Sequence, residues 1–309
     1  LVNSYNREVL VGNEDIDEVF AYTKAKHRGP HRSLLSVLCE RINVLMSLRR
    51  AKIDIAILAA PGFQPRSLHF ARLAGARKVL GFVDFEGQGR LDLPVPKGRM
   101  ENLHEVQDIF RLGAPLEIFD EPQTMVLRPD ENRKKGVEAH VSRSFGGLRG
   151  PVIGVHVSAR KKSQRWPAER FARLIRQLIN EYDARLMLLW SPGASTNKLH
   201  PGDDEKAKWI ARETGNTSIM ALPTSKLTDL IAAIACCDLM ICADGGAMHI
   251  AAALGKPIIC MFGDSTVSRW HPWHVRYQAI QPQTRDVKDI TVDQVLEAVR
   301  MELDPSKNG

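Results

Sequence analysis

The stretch LMICADGGAMHIAAALGKPIICMFG, residues 239–263, decides the fold class of this chain. It begins with a short apolar run, Leu239–Cys242, which is typical of a buried strand in a parallel sheet. A glycine-rich loop leads into residues 247–254, which predict a helix that ends at Gly255. The next apolar run, Pro257–Phe262, predicts another strand. Strand, helix and strand in this order predict one unit of an open parallel α/β sheet.

The same alternation continues through the second half of the chain. Further strands are predicted at Pro151–Val157, Arg185–Trp190 and Thr217–Leu222. An apolar stripe at helical spacing follows the first of them: Phe171, Leu174, Ile175, Leu178 and Ile179. Asp203 and Ser225 are expected to cap the next two helices. Thr291 with Gln294 forms a capping-box pattern before the last helix. A doubly wound parallel sheet is therefore expected.

The first half predicts a second, less regular α/β domain. Residues 53–58 indicate a strand and residues 66–74 a helix. The polar, glycine-rich stretch 130–150 is interpreted as the domain linker. The expected domains are therefore residues 1–145 and 151–309, with the last helix packing back on the first domain. A length of 309 residues fits two domains.

Composition and charge exclude several classes of protein. The chain is 44% hydrophobic and 26% charged, which excludes a disordered or fibrous protein. No apolar run reaches the roughly 18 residues that a membrane helix needs. The net charge of +7 is spread evenly, with 23 Lys and Arg against 19 Asp and Glu in residues 1–150 and 20 against 17 in the rest. A nucleic-acid partner is therefore not indicated. The excess fits anionic small substrates or an anionic membrane surface.

The loop Asp244–His249 is the first of three stretches that indicate a binding site. Gly245 and Gly246 admit backbone angles closed to other residues and let a ligand approach the main chain. The helix that follows presents free N–H groups and a partial positive charge, which suit a diphosphate. Asp244 would repel phosphate, so its carboxylate is expected to accept a hydrogen bond from a ligand hydroxyl or a loop amide. The alternative is a purely structural turn.

The second stretch is the basic loop SARKKSQRWP, from Ser158 to Pro167. Its four cations are Arg160, Lys161, Lys162 and Arg165. Because the loop follows a predicted strand, it should face the same edge of the sheet as Asp244. The cations would then neutralise a departing diphosphate without a metal ion. The alternative is a solvated loop.

The third stretch begins at Gly263, again directly after a predicted strand. Ser265 and Thr266 would line a sugar or a phosphate. Trp270 and Trp273 are expected either to stack on a ring or to pack the loop onto the body. Dinucleotide, P-loop and hydrolase-elbow motifs do not occur in the chain, and its five cysteines lack zinc-site spacing.

Taken in order, these stretches resemble one family. The motif D-[ST or G]-G-x-x-H-x-x-A-A-x-x-x-P, followed by a strand that ends in F-G, is met from Asp244 to Gly263. Two further features add to this motif: the pair Trp166-Pro167 after the basic loop, and the end of a predicted strand at Leu188–Trp190. The sequence is similar to the bacterial heptosyltransferases, glycosyltransferase family nine. The similarity covers the second half and extends more loosely into the first.

The resemblance implies a GT-B fold, in which two Rossmann-like domains face each other across a cleft; the first domain here is expected to lack its first strand and helix. It implies inverting transfer of a heptose from ADP-heptose to the lipopolysaccharide inner core, at the inner face of the inner membrane. The acceptor would be lipid A-core, the nucleotide sugar a co-substrate, and the cytoplasmic enzyme would need no metal or other cofactor. Asp15 and Asp17 form a short D-x-D pattern beside a predicted edge strand, which does not change the metal-free expectation.

Carried over position by position, the resemblance implies a donor site in the second domain. Its residues are Ser158, Lys161, Lys162, Arg165, Ser225, Asp244, Gly245, Gly246, Ala247, Met248, His249 and Gly263. The loop Asp244–His249 would hold the diphosphate and sugar, and the Ser225 region would lie near the base. The acceptor is expected to contact Arg66, His69 and Arg72, which three-residue steps place on one helix face. A solvated helix face is the alternative.

Two departures from the family's pattern leave alternatives open. The family usually has a phosphate-contacting Lys two residues before the Trp-Pro pair, where this chain has Gln164. Lys161, Lys162 or Arg165 must then substitute, or the donor differs. The family's general base, an Asp in a loop after the first strand, is expected upstream of Leu1. The alternatives are a transferase or epimerase for another nucleotide sugar, and a catalytically silent nucleotide-binding protein of the envelope pathway.

Overall fold

A computed structural model describes residues 1–23, 34–85, 87–98, 103–146, 149–197, 201–215 and 219–303. The chain forms two compact units, Leu1–Gln123 and Thr124–Gly309. All sheets among the described residues are parallel, as the alternation of strands and helices predicts. No helix in the described ranges is long and apolar enough to cross a membrane.

The first unit contains a three-stranded sheet in the order β3-β4-β5 and a separate two-stranded pair. Its strands are β1 (Val2–Asn3), β2 (Ala21–Tyr22), β3 (Ile55–Leu58), β4 (Lys78–Val83) and β5 (Leu93–Pro96), and its α-helices are α1 (Leu34–Arg50), α2 (Pro65–Leu73) and α3 (Glu105–Phe110). β3 and α2 confirm the strand and helix expected in this half. β4 is the buried centre of the sheet, whereas Ile57 of β3 is 49% exposed.

The second unit contains a six-stranded sheet in the order β11-β10-β9-β6-β7-β8. Its strands are β6 (Val152–His156), β7 (Arg185–Trp190), β8 (Ile219–Pro223), β9 (Leu239–Ala243), β10 (Ile258–Met261) and β11 (Tyr277–Ile280). The chain moves outward from β6 to β8 on one side, then returns to β9 and moves outward on the other. The strand order therefore reverses between β6 and β9. Thr217, where the strand before Leu222 was expected to begin, lies outside the described residues.

Two groups of helices cover this sheet. The helices are α4 (Glu131–Ser144), α5 (Ala168–Tyr182), α6 (Asp204–Thr214), α7 (Leu227–Ala235), α8 (Gly246–Ala253), α9 (Val267–Trp270) and α10 (Val292–Leu303). α5 contacts both α6 and α10, and α7 contacts both α4 and α8. The predicted stripe on α5 is confirmed, because Leu174, Ile175 and Leu178 are fully buried in the main core. Unbroken apolar strands between two helix layers are typical of a doubly wound sheet.

The stretch interpreted as the domain linker forms a helix instead. Residues Glu131–Ser144 are α4, which Asp130 caps by accepting from the backbone N–H of Arg133 at 2.9 Å. α4 contacts α7 and β8 of the second unit, and the Arg133 guanidinium lies 2.6 Å from the Asp229 carboxylate. Most of the stretch 130–150 is therefore a helix of the second unit, which begins at Thr124. The polar composition of residues 131–144 reflects the exposed face of α4. Its buried apolar side chains, such as Val141, are too few to form a recognisable pattern in the sequence.

The last helix packs on the sheet and on α5 of the second unit. α10 contacts α5, β10 and β11, and buries Val295, Leu296 and Val299 in the main core. Its predicted capping box is confirmed: the Thr291 N–H donates to Gln294 Oε1 at 2.9 Å, and the Gln294 N–H donates to Thr291 Oγ1 at 3.2 Å. An apolar stripe shows that a helix is buried but not which surface buries it.

The other two capping predictions are wrong. Asp203 occupies the N-cap position of α6 without a capping hydrogen bond. Its neighbour Asp204 accepts from Trp190 Nε1 at 2.7 Å, a tertiary contact that local sequence does not reveal. α7 begins after Lys226, whose backbone N–H donates to a carboxylate of the first turn, so Ser225 lies one residue too early.

Candidate functional site

A cavity of about 400 Å³ opens at the carboxyl edge of the six-stranded sheet. Its lining includes His156 and Ala243, the last residues of β6 and β9, so it lies where the strand order reverses. Ligands of open α/β sheets bind at such a switch point, because the loops diverge there and leave a crevice. The rest of the lining is Ser158, Ala159, Arg160, Lys161, Gln164, Asp244, Gly245, Gly246, Ala247, Ser265 and Trp270.

Asp244 is held firmly at this cavity. Its backbone N–H donates to the Met261 carbonyl at 2.9 Å. Its carboxylate accepts from Gln164 Nε2 at 2.8 Å, and the same amide lies 3.3 Å from Ser265 Oγ. Gln164 is buried, so a neutral amide connects all three loops identified from the sequence. The side-chain amide of Gln164 supplies the partner expected for Asp244.

The two glycines after Asp244 serve the site through their lack of a side chain. The φ of Gly245 is 160°, which is extended backbone, and Gly246 is the first residue of α8. Neither glycine uses a backbone angle closed to other residues, so the second expected reason for them, the close approach of a ligand, is the one that applies. A Cβ added at either position would meet no described atom within 4 Å. The open space at the start of α8 lets a ligand approach its free N–H groups.

The cations of the basic loop are arranged unequally. Arg160 and Lys161 line the cavity, whereas Lys162 and Arg165 lie outside the described lining. Lys161 Nζ lies 3.1 Å from Asp264 Oδ1, and this hydrogen bond lowers the pKa of the Asp264 carboxyl. Arg165 Nε donates to the Ala159 carbonyl at 2.9 Å and so braces the loop from within. Of the three cations expected to substitute for the family's Lys, Lys161 lines the cavity, together with the neighbouring Arg160.

Several other predicted donor residues lie outside the described lining. Met248 is fully buried, and Ser225 is exposed before α7. His249 is half-buried with its ring 6.2 Å from that of Trp270, and burial lowers its pKa. Gly263 permits a close approach of two loops, because a Cβ there would lie 2.2 Å from the Ser163 carbonyl oxygen.

The two tryptophans of the third stretch have different surroundings. Trp270 lines the cavity. Trp273 is buried and stacks on His274 with ring centroids 4.3 Å apart, so it packs its loop onto the body. The sequence left both outcomes open for both residues.

The expected acceptor residues lie on α2 of the first unit. Arg66, His69 and Arg72 are all exposed on that helix. Arg72 forms an ion pair with Asp92 at 2.8 Å. Their contact with an acceptor stays a prediction. Within the described ranges, no group of three or more His, Cys, Asp or Glu side chains is placed to hold a metal ion.

His156 is a cavity residue that the sequence did not reveal. It is the last residue of β6, and burial lowers the pKa of its imidazole to about 4, with the charge of Lys206 acting in the same direction. A hydrogen bond with the Ser158 backbone opposes this shift. The imidazole is therefore neutral at pH 7. Its position at the end of a buried strand was the available signal.

A parallel α/β sheet with a cation-lined crevice at its switch point defines a class of proteins that bind anionic ligands. Residues 41–299 match glycosyltransferase family 9 (heptosyltransferase). The match covers most of the chain, which therefore belongs to this family.

Curated relatives are similar over part of their length. Lipopolysaccharide heptosyltransferase 2 of Salmonella typhimurium is 30% identical over 119 residues, which is 38% of this chain and 32% of the relative. The Escherichia coli K12 protein of the same name is 28% identical over 151 residues, 48% of this chain and 41% of the relative. Lipooligosaccharide heptosyltransferase 2 of Haemophilus influenzae is 26% identical over 226 residues, 70% of this chain and 62% of the relative. The chain thus spans from 32% to 62% of these relatives.

Solved structures share the fold over nearly the whole chain. A family 9 glycosyltransferase from Veillonella parvula matches with a TM-score of 0.78 and 19% identity, covering 97% of this chain and 86% of that one. ADP-heptose heptosyltransferase II of E. coli matches with a TM-score of 0.71 and 22% identity, covering 99% and 88%. The E. coli heptosyltransferase WaaC with ADP-2-deoxy-2-fluoro heptose matches with a TM-score of 0.68 and 18% identity, covering 97% and 89%. The expected GT-B fold class is confirmed.

Acid is expected to destabilise the fold through His156. Its folded-state pKa of about 4 lies below the value of about 6.5 in an unfolded chain, so the unfolded state takes up the proton first. Above pH 6.5 the neutral His156 imidazole makes its full contribution to the free energy of unfolding. This contribution, up to about 3 kcal/mol, is lost as the pH falls towards 4. Urea unfolding between pH 7.5 and 4.5 should show a shallower pH dependence in His156→Gln than in the wild type. His140→Gln, an exposed imidazole of the same unit, should keep the wild-type profile; equal slopes in all three proteins would contradict the assignment.

Proposed function

We propose that this protein is an inverting, metal-independent glycosyltransferase that moves a heptose from ADP-heptose to the lipopolysaccharide inner core. The observation that carries the proposal is the cavity at the switch point between β6 and β9, which Arg160 and Lys161 line together with the start of α8. Family membership supports glycosyl transfer. The curated relatives named as lipopolysaccharide heptosyltransferases support the acceptor, and the similar solved structure holding an ADP-heptose analogue supports the donor.

The diphosphate of the donor would lie between the basic loop and α8. Two cations, Arg160 and Lys161, line one side of the cavity. On the other side, the first N–H groups of α8 lack partners within the helix and add the positive end of the helix dipole. As the bond between sugar and diphosphate breaks, negative charge grows on the departing phosphate. Positive groups held there in advance stabilise that charge more than they stabilise the intact donor, which is what accelerates transfer.

Asp244 would orient the sugar rather than the phosphate. Its carboxylate already accepts one hydrogen bond from Gln164 and has further acceptor capacity for a ligand hydroxyl. Lys at position 164 would form an ion pair with Asp244, whereas the amide leaves the carboxylate charge available. Trp270 provides a flat apolar wall of the kind on which a sugar ring packs.

The acceptor would bind to the first domain, at the cytoplasmic face of the inner membrane. Arg66, His69 and Arg72 are exposed on α2, where they would contact the anionic lipid A-core. The attacking hydroxyl needs a general base to take up its proton. Attack from the face opposite the diphosphate inverts the anomeric carbon. The second domain would hold the donor.

A thermal-shift panel tests the donor assignment. ADP, UDP, GDP and CDP, together with ADP-heptose, are added to the protein at matched concentrations. Ligand at ~100 times its Kd adds about 2.7 kcal/mol of stability, which raises Tm by a few degrees at this size. The proposal expects a shift with ADP and ADP-heptose. A shift confined to UDP compounds would move the assignment to another transferase or an epimerase, and no shift with any nucleotide would refute donor binding.

Removing the cavity cations should weaken donor binding. The double variant Arg160→Gln, Lys161→Gln loses two charge-assisted contacts, so its Kd for ADP is expected to rise about 10- to 100-fold. Titration calorimetry at two salt concentrations measures this, and the salt dependence should also decrease. The control is Lys208→Gln, Arg212→Gln, which removes the same charge from the exposed face of α6. Equal losses in both double variants would mean that net charge, not the cavity, attracts the nucleotide.

Filling the space at the start of α8 should block the ligand without harming the fold. In Gly246→Ala the new methyl group meets no described protein atom within 4 Å, but it occupies the approach to the free N–H groups. ADP affinity should fall at least about tenfold while Tm stays equal or rises slightly, because Ala favours helix over Gly. Gly136→Ala on α4 is the matched control, since its Cβ also meets open space. Wild-type ADP affinity in Gly246→Ala would exclude this binding mode.

A further inference from the structure

Lys206 of α6 connects the two ends of the basic loop. Its Nζ donates to the Val157 carbonyl at 2.9 Å and to the Trp166 carbonyl at 2.8 Å. Val157 directly precedes Ser158, and Trp166 directly follows Arg165, so one ammonium group spans the loop of residues 158–165. Lys206 itself lies outside the described cavity lining.

The position of this loop determines much of the cavity. Five residues of the loop belong to the lining: Ser158, Ala159, Arg160, Lys161 and Gln164. The Ser158 hydroxyl also accepts a hydrogen bond from the N–H of Ser191 at 2.9 Å. This bond attaches the start of the loop to the residue that follows β7. A change in the separation of the loop ends would therefore move cations and Gln164 together.

Lys206 occupies an unfavourable position for a charged side chain. Its ammonium is largely removed from water and lies 4.8 Å from the centroid of the Phe171 ring. Burying an ammonium is costly, and a cation in the first turn of a helix also opposes the helix dipole. The two carbonyls offset these costs by accepting charge-assisted hydrogen bonds. An apolar side chain would fill the space at a lower cost but would leave the loop ends unconnected.

We propose that Lys206 is a positioning residue, whose ammonium group holds the two ends of the loop 158–165 together and so places Arg160, Lys161 and Gln164 at the cavity. The benefit to donor binding rests on the proposed function. The connection of the loop ends does not, because it is a property of the protein without ligand.

This arrangement makes nucleotide binding depend on pH. Burial lowers the pKa of Lys206 to about 8, with Arg165 of the loop acting in the same direction and Asp203 and Glu169 opposing it. A diphosphate in the cavity brings negative charge and favours the ammonium, so binding should take up protons between pH 8 and 9. As the pH rises through 8, the charge-assisted bonds become neutral ones and binding weakens.

Hydrogen exchange without ligand tests the connection itself. Wild type, Lys206→Met and the control Lys208→Met are compared, the control being an exposed Lys of the same helix paired with Glu205. The proposal expects exchange of amides 158–165 to become at least about tenfold faster in Lys206→Met alone, with β6, β7 and β9 unchanged. Unchanged loop exchange would overturn it. Faster exchange spread equally over the unit would also overturn it, because Lys206 would then serve stability in general.

Titration calorimetry with ADP, in buffers of different ionisation enthalpy at pH 8.5, tests the consequence. The wild type and Lys208→Met should take up protons on binding. In Lys206→Met this uptake should disappear and Kd should rise about tenfold. Wild-type affinity and proton uptake in Lys206→Met would overturn the positioning role. If the wild type binds no nucleotide of the panel, the proposed function fails, and hydrogen exchange alone decides the connection of the loop ends.

Discussion

The pairing of β6 with β9 is the contact on which the second unit depends. The backbones pair in parallel, with Ile153 opposite Leu239 and Val155 opposite Ile241. Gly154 lies between these residues, and a Cβ there would lie 2.6 Å from the Cys237 sulfur. Only glycine at position 154 lets Cys237, which lies between α7 and β9, approach β6 this closely. Because the strand order reverses at this pair, the loops after β6 and β9 diverge and leave the crevice that becomes the cavity.

The chemistry of the cavity follows from two loops of different charge held at one edge. The basic loop supplies Arg160 and Lys161, while the opposite loop supplies Asp244 and the start of α8. Gln164 connects them without adding charge. Because Lys161 is engaged by Asp264, the cavity is less positive than the loop sequence suggests. An anionic ligand there would therefore depend on the helix N–H groups as well as on cations.

In the second unit, the contacts that stabilise the fold differ from those that position the loop of residues 158–165. The core of α5, α6 and α10 against the sheet is apolar, and its burial accounts for the fold. Lys206 lies at the edge of that core with a charge that burial disfavours, and its ammonium donates to the carbonyls at the two loop ends. A cavity wall built from a loop needs such a fixed attachment, because loops are otherwise the least restrained part of a fold.

Local sequence was enough to predict the alternating elements, the parallel sheet of the second unit, the α5 stripe and the Thr291–Gln294 cap, because each depends on residues close together in the chain. It also identified Asp244, Lys161 and the glycines as residues of one sheet edge. The structure was needed to show that residues 131–144 form a packed helix, that α5, β10 and β11 contact α10, that His156 lines the cavity and that Lys206 donates to the Val157 and Trp166 carbonyls. Those outcomes depend on contacts between residues that are far apart in the sequence. The sequence around a side chain does not show which distant residue buries it or accepts its hydrogen bond.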